Sequence, residues 1–109
     1  MDKVIKDGKV AVLISSGFGA GWSTWNTGHP ECIFDPDIVC YLLDKPYDKP
    51  MDVDELPFDF KERYSEDFYE GGFDQLTVYW VPQGAKFIID EYDGHESLRM
   101  AEEIEWIEA

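Results

Sequence analysis

The sequence predicts an α+β domain, with a mainly antiparallel sheet of five to six strands and two helices packed on one face, spanning residues 1–109 as a single unit. Three observations carry this. An Asp-Gly turn near the start joins two β-like runs, an Asp-Pro-Asp triplet opens a helical run in the middle, and the last third alternates apolar and polar residues with turn dipeptides between. A length of 109 residues with 44% hydrophobic residues, among them 4 Trp, 6 Tyr and 7 Phe, is enough for one real core.

Asp7-Gly8 tolerates the positive φ of a tight turn, so Lys3–Lys6 and Lys9–Ser15 are expected to form a hairpin. The second arm is almost wholly apolar, which predicts a central strand covered on both faces. Residues 16–30 hold too many glycines and polar caps for a regular element and read as a loop. Asp35 then supplies a cap, Pro36 suits the first helical position and Asp37 complements the dipole, with Ile38, Val39, Leu42 and Leu43 on one face and an end near Asp44 before Lys45-Pro46. The stretch 45–57 holds three of the six prolines and reads as a surface connector. Phe60, Tyr64 and Phe68 recur every fourth residue, predicting a second helix that Gly71-Gly72 would stop. Leu76–Val81 and Lys86–Tyr92 are expected to pair around residues 82–85, Asp93-Gly94 to turn the chain into His95–Met100, and Ile104–Ile107 to add a last strand.

The charge excludes several functions. With 24 acidic and 9 basic residues the net charge is −15, which opposes direct binding to nucleic acid or to anionic membrane. No membrane span or signal peptide is evident, so a cytoplasmic protein is expected. Cys32 and Cys40 are expected to be free thiols buried as small hydrophobes.

One window stands apart from this charge. Residues 10–30 contain no Asp, Glu, Lys or Arg. Ser16, Gly17, Gly19, Gly21, Trp22, Ser23, Thr24, Trp25 and Asn26 are therefore the candidate ligand-binding residues: glycine amides can cradle an anion, hydroxyls can add donors, and the indoles can stack on a ring. The ligand expected is a nucleotide-like small molecule. The same residues also suit a plain structural role, with the glycines in turns and Trp22 and Trp25 filling the core. Gly17-x-Gly19-x-Gly21 matches neither the dinucleotide fingerprint nor a P-loop.

No catalytic residue is assigned, because nothing in the spacing pairs Ser15, Ser16, Cys32 or Cys40 with His29 or His95. No metal site or cofactor is assigned either. His29 and Cys32 lack a second ligand pair, and Asp52 with Asp54 or Asp90 with Asp93 do not follow the calcium-loop pattern. The acidic stretches offer a different function. Between Asp44 and Glu70 ten acids face four bases, and Asp59, Glu62, Glu66, Asp67 and Glu70 along the second predicted helix would engage Arg and Lys of another, basic protein, with Phe58 or Tyr69 as an anchor. Exposed aromatics would also suit a homodimer.

Gly17–Asn26 (GFGAGWSTWN) and Trp80–Gly94 (WVPQGAKFIIDEYDG) resemble segments of small uncharacterised proteins carried by bacteriophages and prophages, and the resemblance runs over most of the chain. That group implies no established activity or site; it supplies a context, in which a compact, acidic phage accessory protein of the host cytoplasm without catalytic motifs is similar in kind to anti-defence proteins, and a non-enzymatic role is expected. Such a protein would sequester a nucleotide-like ligand, or alternatively mimic nucleic acid or otherwise inhibit a basic host effector. A nucleotide-acting enzyme using the same loop is a further alternative.

Overall fold

The structure, a computed structural model, describes residues 2–101. The α+β class holds, but the strands are divided between two sheets. Strands β1 (Ile5–Lys6), β2 (Lys9–Ser15) and β3 (Leu76–Pro82) form a three-stranded antiparallel sheet in the order β1-β2-β3, while β4 (Phe87–Tyr92) and β5 (His95–Met100) form a separate hairpin. The expected pairing of β3 with β4 does not form. Instead β3 lies against β2 from Ser15↔Leu76 to Lys9↔Pro82, and the turn at residues 82–85 folds the next hairpin over the sheet.

The reason is the two-faced burial of β2. Ala11 and Leu13 point into a core with Trp22, Ile38, Val39, Phe60, Phe68 and Phe73. Val12 and Ile14 point the other way, and with Val81 they need a second cover, which Phe87, Ile89, Leu98 and Met100 of the hairpin provide. A strand buried on both faces requires a layer on each side. Adding β4 and β5 to the edge would have left one face bare.

Both Asp-Gly turns form as expected, with positive φ at Asp7 and Gly8 and at Asp93 and Gly94. Helix α1 (Pro36–Asp44) begins as its sequence indicates: the Asp35 carboxylate accepts from the amides of Asp37 and Ile38, at 3.0 and 3.3 Å. Its face is narrower than expected, because Leu43 is exposed. Helix α2 is one turn, Phe60–Arg63, rather than a run to Gly71. Asn26 explains where the helix cannot go: its side chain accepts from the Tyr69 amide (2.8 Å) and donates to the Tyr69 carbonyl (2.9 Å), holding that backbone outside a helix. Phe60, Tyr64 and Phe68 still stack together, with ring centroids 4.5 Å apart for Tyr64–Phe68 and 5.6 Å for Phe60–Phe68. The expected strand at Ile104–Ile107 lies outside the described residues.

Candidate functional site

The neutral loop is an anion cradle, and the anion in it belongs to the protein. Along β5, Glu96, Leu98 and Met100 share one face, so the strand carries the Glu96 carboxylate to the end of β2, where it is 1% exposed. There Oε1 accepts from the Ser15 amide at 2.8 Å, and Oε2 accepts from the amides of Trp22 (2.8 Å) and Thr24 (3.1 Å) and from the Thr24 hydroxyl (2.6 Å). Glu91, directly opposite on β4, accepts from the Trp25 indole N–H at 2.7 Å. Two carboxylates of the hairpin thus grip the loop.

Several other loop residues are committed inward as well. Trp22 is fully buried and donates its indole N–H to the Cys32 carbonyl at 3.1 Å, so it presents no face for stacking a base; this corrects its assignment as a ligand platform. Asn26 is buried on Tyr69 and on the Trp22 carbonyl. The Ser16 amide pairs with the Gln75 carbonyl and the Gly19 amide with the Asp93 carbonyl. Gly17 lies beneath the Gln75 side chain, Gly21 lies against Thr24 and Trp25, and Ser23 opens a short 3-10 turn, Ser23–Trp25. Trp25 is the loop's accessible indole, 41% exposed beside Tyr69.

A second buried carboxylate organises the opposite side. Asp35 caps α1 and also receives the Arg63 guanidinium at 2.9 and 3.1 Å and the Tyr64 hydroxyl at 2.6 Å, while Arg63 reaches on to Asp37 at 2.6 Å. Burial and then this bond to Asp35 push the Tyr64 phenol far above its ordinary range. Burial, reinforced by Glu31, Glu96 and Asp35, likewise raises the Cys32 thiol, a structural rather than reactive setting. Both cysteines are free, but Cys40 is exposed on α1 rather than buried, since it points away from Ile38 and Val39.

His29 does meet a serine, though not one of those singled out from the sequence. Its Nε2 lies 3.0 Å from the Ser65 hydroxyl and its Nδ1 3.5 Å from Glu31. His95 instead bonds the Ser16 carbonyl and stacks on Phe18. Among the described residues no cluster of three or more His, Cys, Asp or Glu forms a metal site.

The acidic stretch forms a cleft of about 580 Å³ between the 3-10 turn Val53–Glu55 and α2. Leu56, Phe58 and Phe60 line it beside the carboxylates of Asp54, Asp59, Glu62 and Glu70. Asp59 also caps α2 through the Lys61 amide. Glu66 and Asp67 are exposed but lie outside this cleft, because the chain leaves helical geometry at Tyr64. Among the described residues, none of the four cleft carboxylates has an ion-pair partner. From the sequence Asp54 was weighed only with Asp52 as a cation pair and not as part of the acidic face; its place in the cleft with Glu62 depends on how the connector folds back.

Comparisons with protein-family models, with curated proteins and with solved structures found no match to this chain.

Proposed function

We propose that the protein is a non-enzymatic binding protein that engages cationic side chains of a basic partner protein through the cleft of Asp54, Asp59, Glu62 and Glu70. The observation that supports this is four carboxylates beside an aromatic wall that, among the described residues, have no ion-pair partner. Phe58 in that wall already carries the Arg63 guanidinium 3.6 Å from its ring centre, the kind of contact an incoming arginine would make. The net charge of −15 would steer a basic partner toward the molecule. In the setting that the phage resemblance implies, the partner is a host protein that normally binds nucleic acid, and the cleft carboxylates occupy the place of phosphates. Sequestration of a nucleotide by the loop is the weaker reading, because Glu96 and the buried Trp22 already use the groups it requires.

The test is calorimetric titration with an arginine-rich peptide at about 0.1 M and about 1 M salt, between which the screening length falls from ~10 to ~3 Å. Binding that weakens steeply with salt and is lost in an Asp54→Asn, Glu62→Gln, Glu70→Gln variant is expected. Binding unaffected by that variant would overturn the reading.

A further inference from the structure

One cluster of reactive side chains lies outside both the loop's carboxylate cradle and the acidic cleft. His29 immediately precedes the 3-10 turn Pro30–Phe34 and Ser65 follows α2, and the fold brings His29 Nε2 within 3.0 Å of Ser65 Oγ. On the other side of the ring, Nδ1 lies 3.5 Å from the Glu31 carboxylate. With the ring proton on Nδ1, facing Glu31, Nε2 accepts from the Ser65 hydroxyl. A hydroxyl, an imidazole and a carboxylate in that order make a serine nucleophilic: the ring takes the hydroxyl proton as the oxygen attacks, and the carboxylate steadies the cation that forms.

The surroundings suit the same chemistry. His29 is held by Tyr64 and Phe68, whose rings meet it edge-on with centroids 5.6 and 6.0 Å away, and by its own amide, which donates to the Asn26 carbonyl. Its side chain is still 26% exposed and Ser65 is half-buried, so a small reagent can reach both. The turn after the serine is closed by the Phe68 amide, which donates to the Ser65 carbonyl at 3.1 Å. Within that turn the amides of Glu66 and Asp67 have no acceptor among the described residues. Backbone N–H groups that follow a nucleophile are the usual donors to the oxyanion of acyl transfer.

We infer that Ser65 is an acyl-acceptor site, with His29 as general base and Glu31 as a positioning residue. The donor it fits is an uncharged activated ester or thioester with a small apolar acyl group. Tyr64 and Phe68 offer that group an apolar wall, while Glu31 and the exposed Glu66 and Asp67 oppose an anionic donor. In the transfer Oγ bonds to the acyl carbon and the bond from that carbon to the leaving oxygen or sulfur breaks. The hydroxyl proton passes to Nε2 and on to the leaving group, so nothing is oxidised or reduced. This site goes beyond the binding of cations by the cleft and does not depend on it, since neither His29 nor Ser65 lines the cleft.

The experiment incubates the full chain with 4-nitrophenyl acetate near neutral pH, following nitrophenolate by absorbance and locating the acetyl group by peptide mass mapping. Acetylation of Ser65 is expected, absent in Ser65→Ala and slowed about 100-fold in His29→Ala. Free imidazole should restore part of the rate to His29→Ala, which a purely structural ring would not allow. Glu31→Gln should slow labelling several-fold at an unchanged unfolding midpoint, and Glu31→Asp should recover part of it. The anionic ester 4-nitrophenyl succinate should label more slowly than the acetate. Should His29→Ala fail to fold, Ser65→Ala, which removes a single oxygen, decides with the mass map. Acetyl groups on lysines or tyrosines alone, a rate unchanged in folded His29→Ala, or equal labelling of the urea-unfolded chain would overturn the inference. Release of more than one nitrophenolate per chain, lost in Ser65→Ala, would support Ser65 as the nucleophile and revise the non-enzymatic reading instead.

Discussion

The Glu96 carboxylate accepts a 2.8 Å hydrogen bond from the Ser15 amide, joining the far hairpin to the end of the central strand across 81 residues of sequence. With the Trp22 and Thr24 amides on its other oxygen, it supplies the acceptors that the loop's short 3-10 turn at Ser23–Trp25 does not provide for them.

Glu96→Ala should therefore leave three buried or half-buried amides without an acceptor. Removing one partner of such a set costs about 3–5 kcal/mol, because the orphaned donors stay desolvated. Glu96→Gln should also destabilise, since its amide nitrogen faces donors. Urea denaturation followed by fluorescence measures both, and a cost below about 1 kcal/mol for Glu96→Ala would contradict the cradle.

The two loop tryptophans should separate sharply. Trp22→Ala opens a cavity in the larger core and is expected to cost about 3–5 kcal/mol. Trp25→Ala loses an exposed ring and its bond to Glu91, for which less than about 1 kcal/mol is expected. Thermal unfolding of the two variants side by side makes the comparison.

Alkaline pH should destabilise the fold. The Cys32 thiol is raised above its ordinary value of 9.0, by burial first and by Glu31 next, so the folded chain retains a proton that the unfolded chain gives up. Stability should be level with respect to this group below pH 9 and fall as pH rises beyond it. Cys32→Ala should flatten that decline in denaturation midpoints measured between pH 8 and about 9.5, below the range where Tyr64, likewise raised in the fold, adds a decline of its own.

Gly84 and Gly94 share a positive φ, of 85° and 84°, but differ in surroundings. A β-carbon on Gly84 would meet open space, whereas one on Gly94 would fall 2.3 Å from the Ala20 backbone nitrogen. Gly84→Ala should cost about 1–2 kcal/mol from conformation alone. Gly94→Ala should cost more, since the loop must move away from the hairpin. Calorimetric midpoints for the pair separate close packing from backbone conformation.

Much of the local structure was legible in the residues themselves. Asp7-Gly8, Asp93-Gly94 and Asp35-Pro36-Asp37 act within a few positions of the chain, so their turns and cap follow from φ preferences and side-chain reach. The unbroken apolar run of β2 foretold burial on both faces. The neutral, glycine-rich window was legible as an anion cradle too, and Glu96 stood in phase with Leu98 and Met100, a pattern that marks an inward carboxylate. What alternation does not contain is the identity of the group an inward carboxylate meets.

That identity was settled by tertiary structure, and so was the termination of α2. The spacing of Phe60, Tyr64 and Phe68 satisfies a helix, but the Asn26 side chain, more than 40 residues earlier, claims the Tyr69 backbone and a single turn remains. The expected pairing of β3 with β4 failed for a like reason, because β4 and β5 pair with each other identically whether their hairpin extends the sheet or covers it. Short-range preferences determine turns, caps and strand periodicity. Long-range choices depend on which buried face and which unpaired amide still need a partner once the chain has folded back on itself, and those needs exist only in three dimensions.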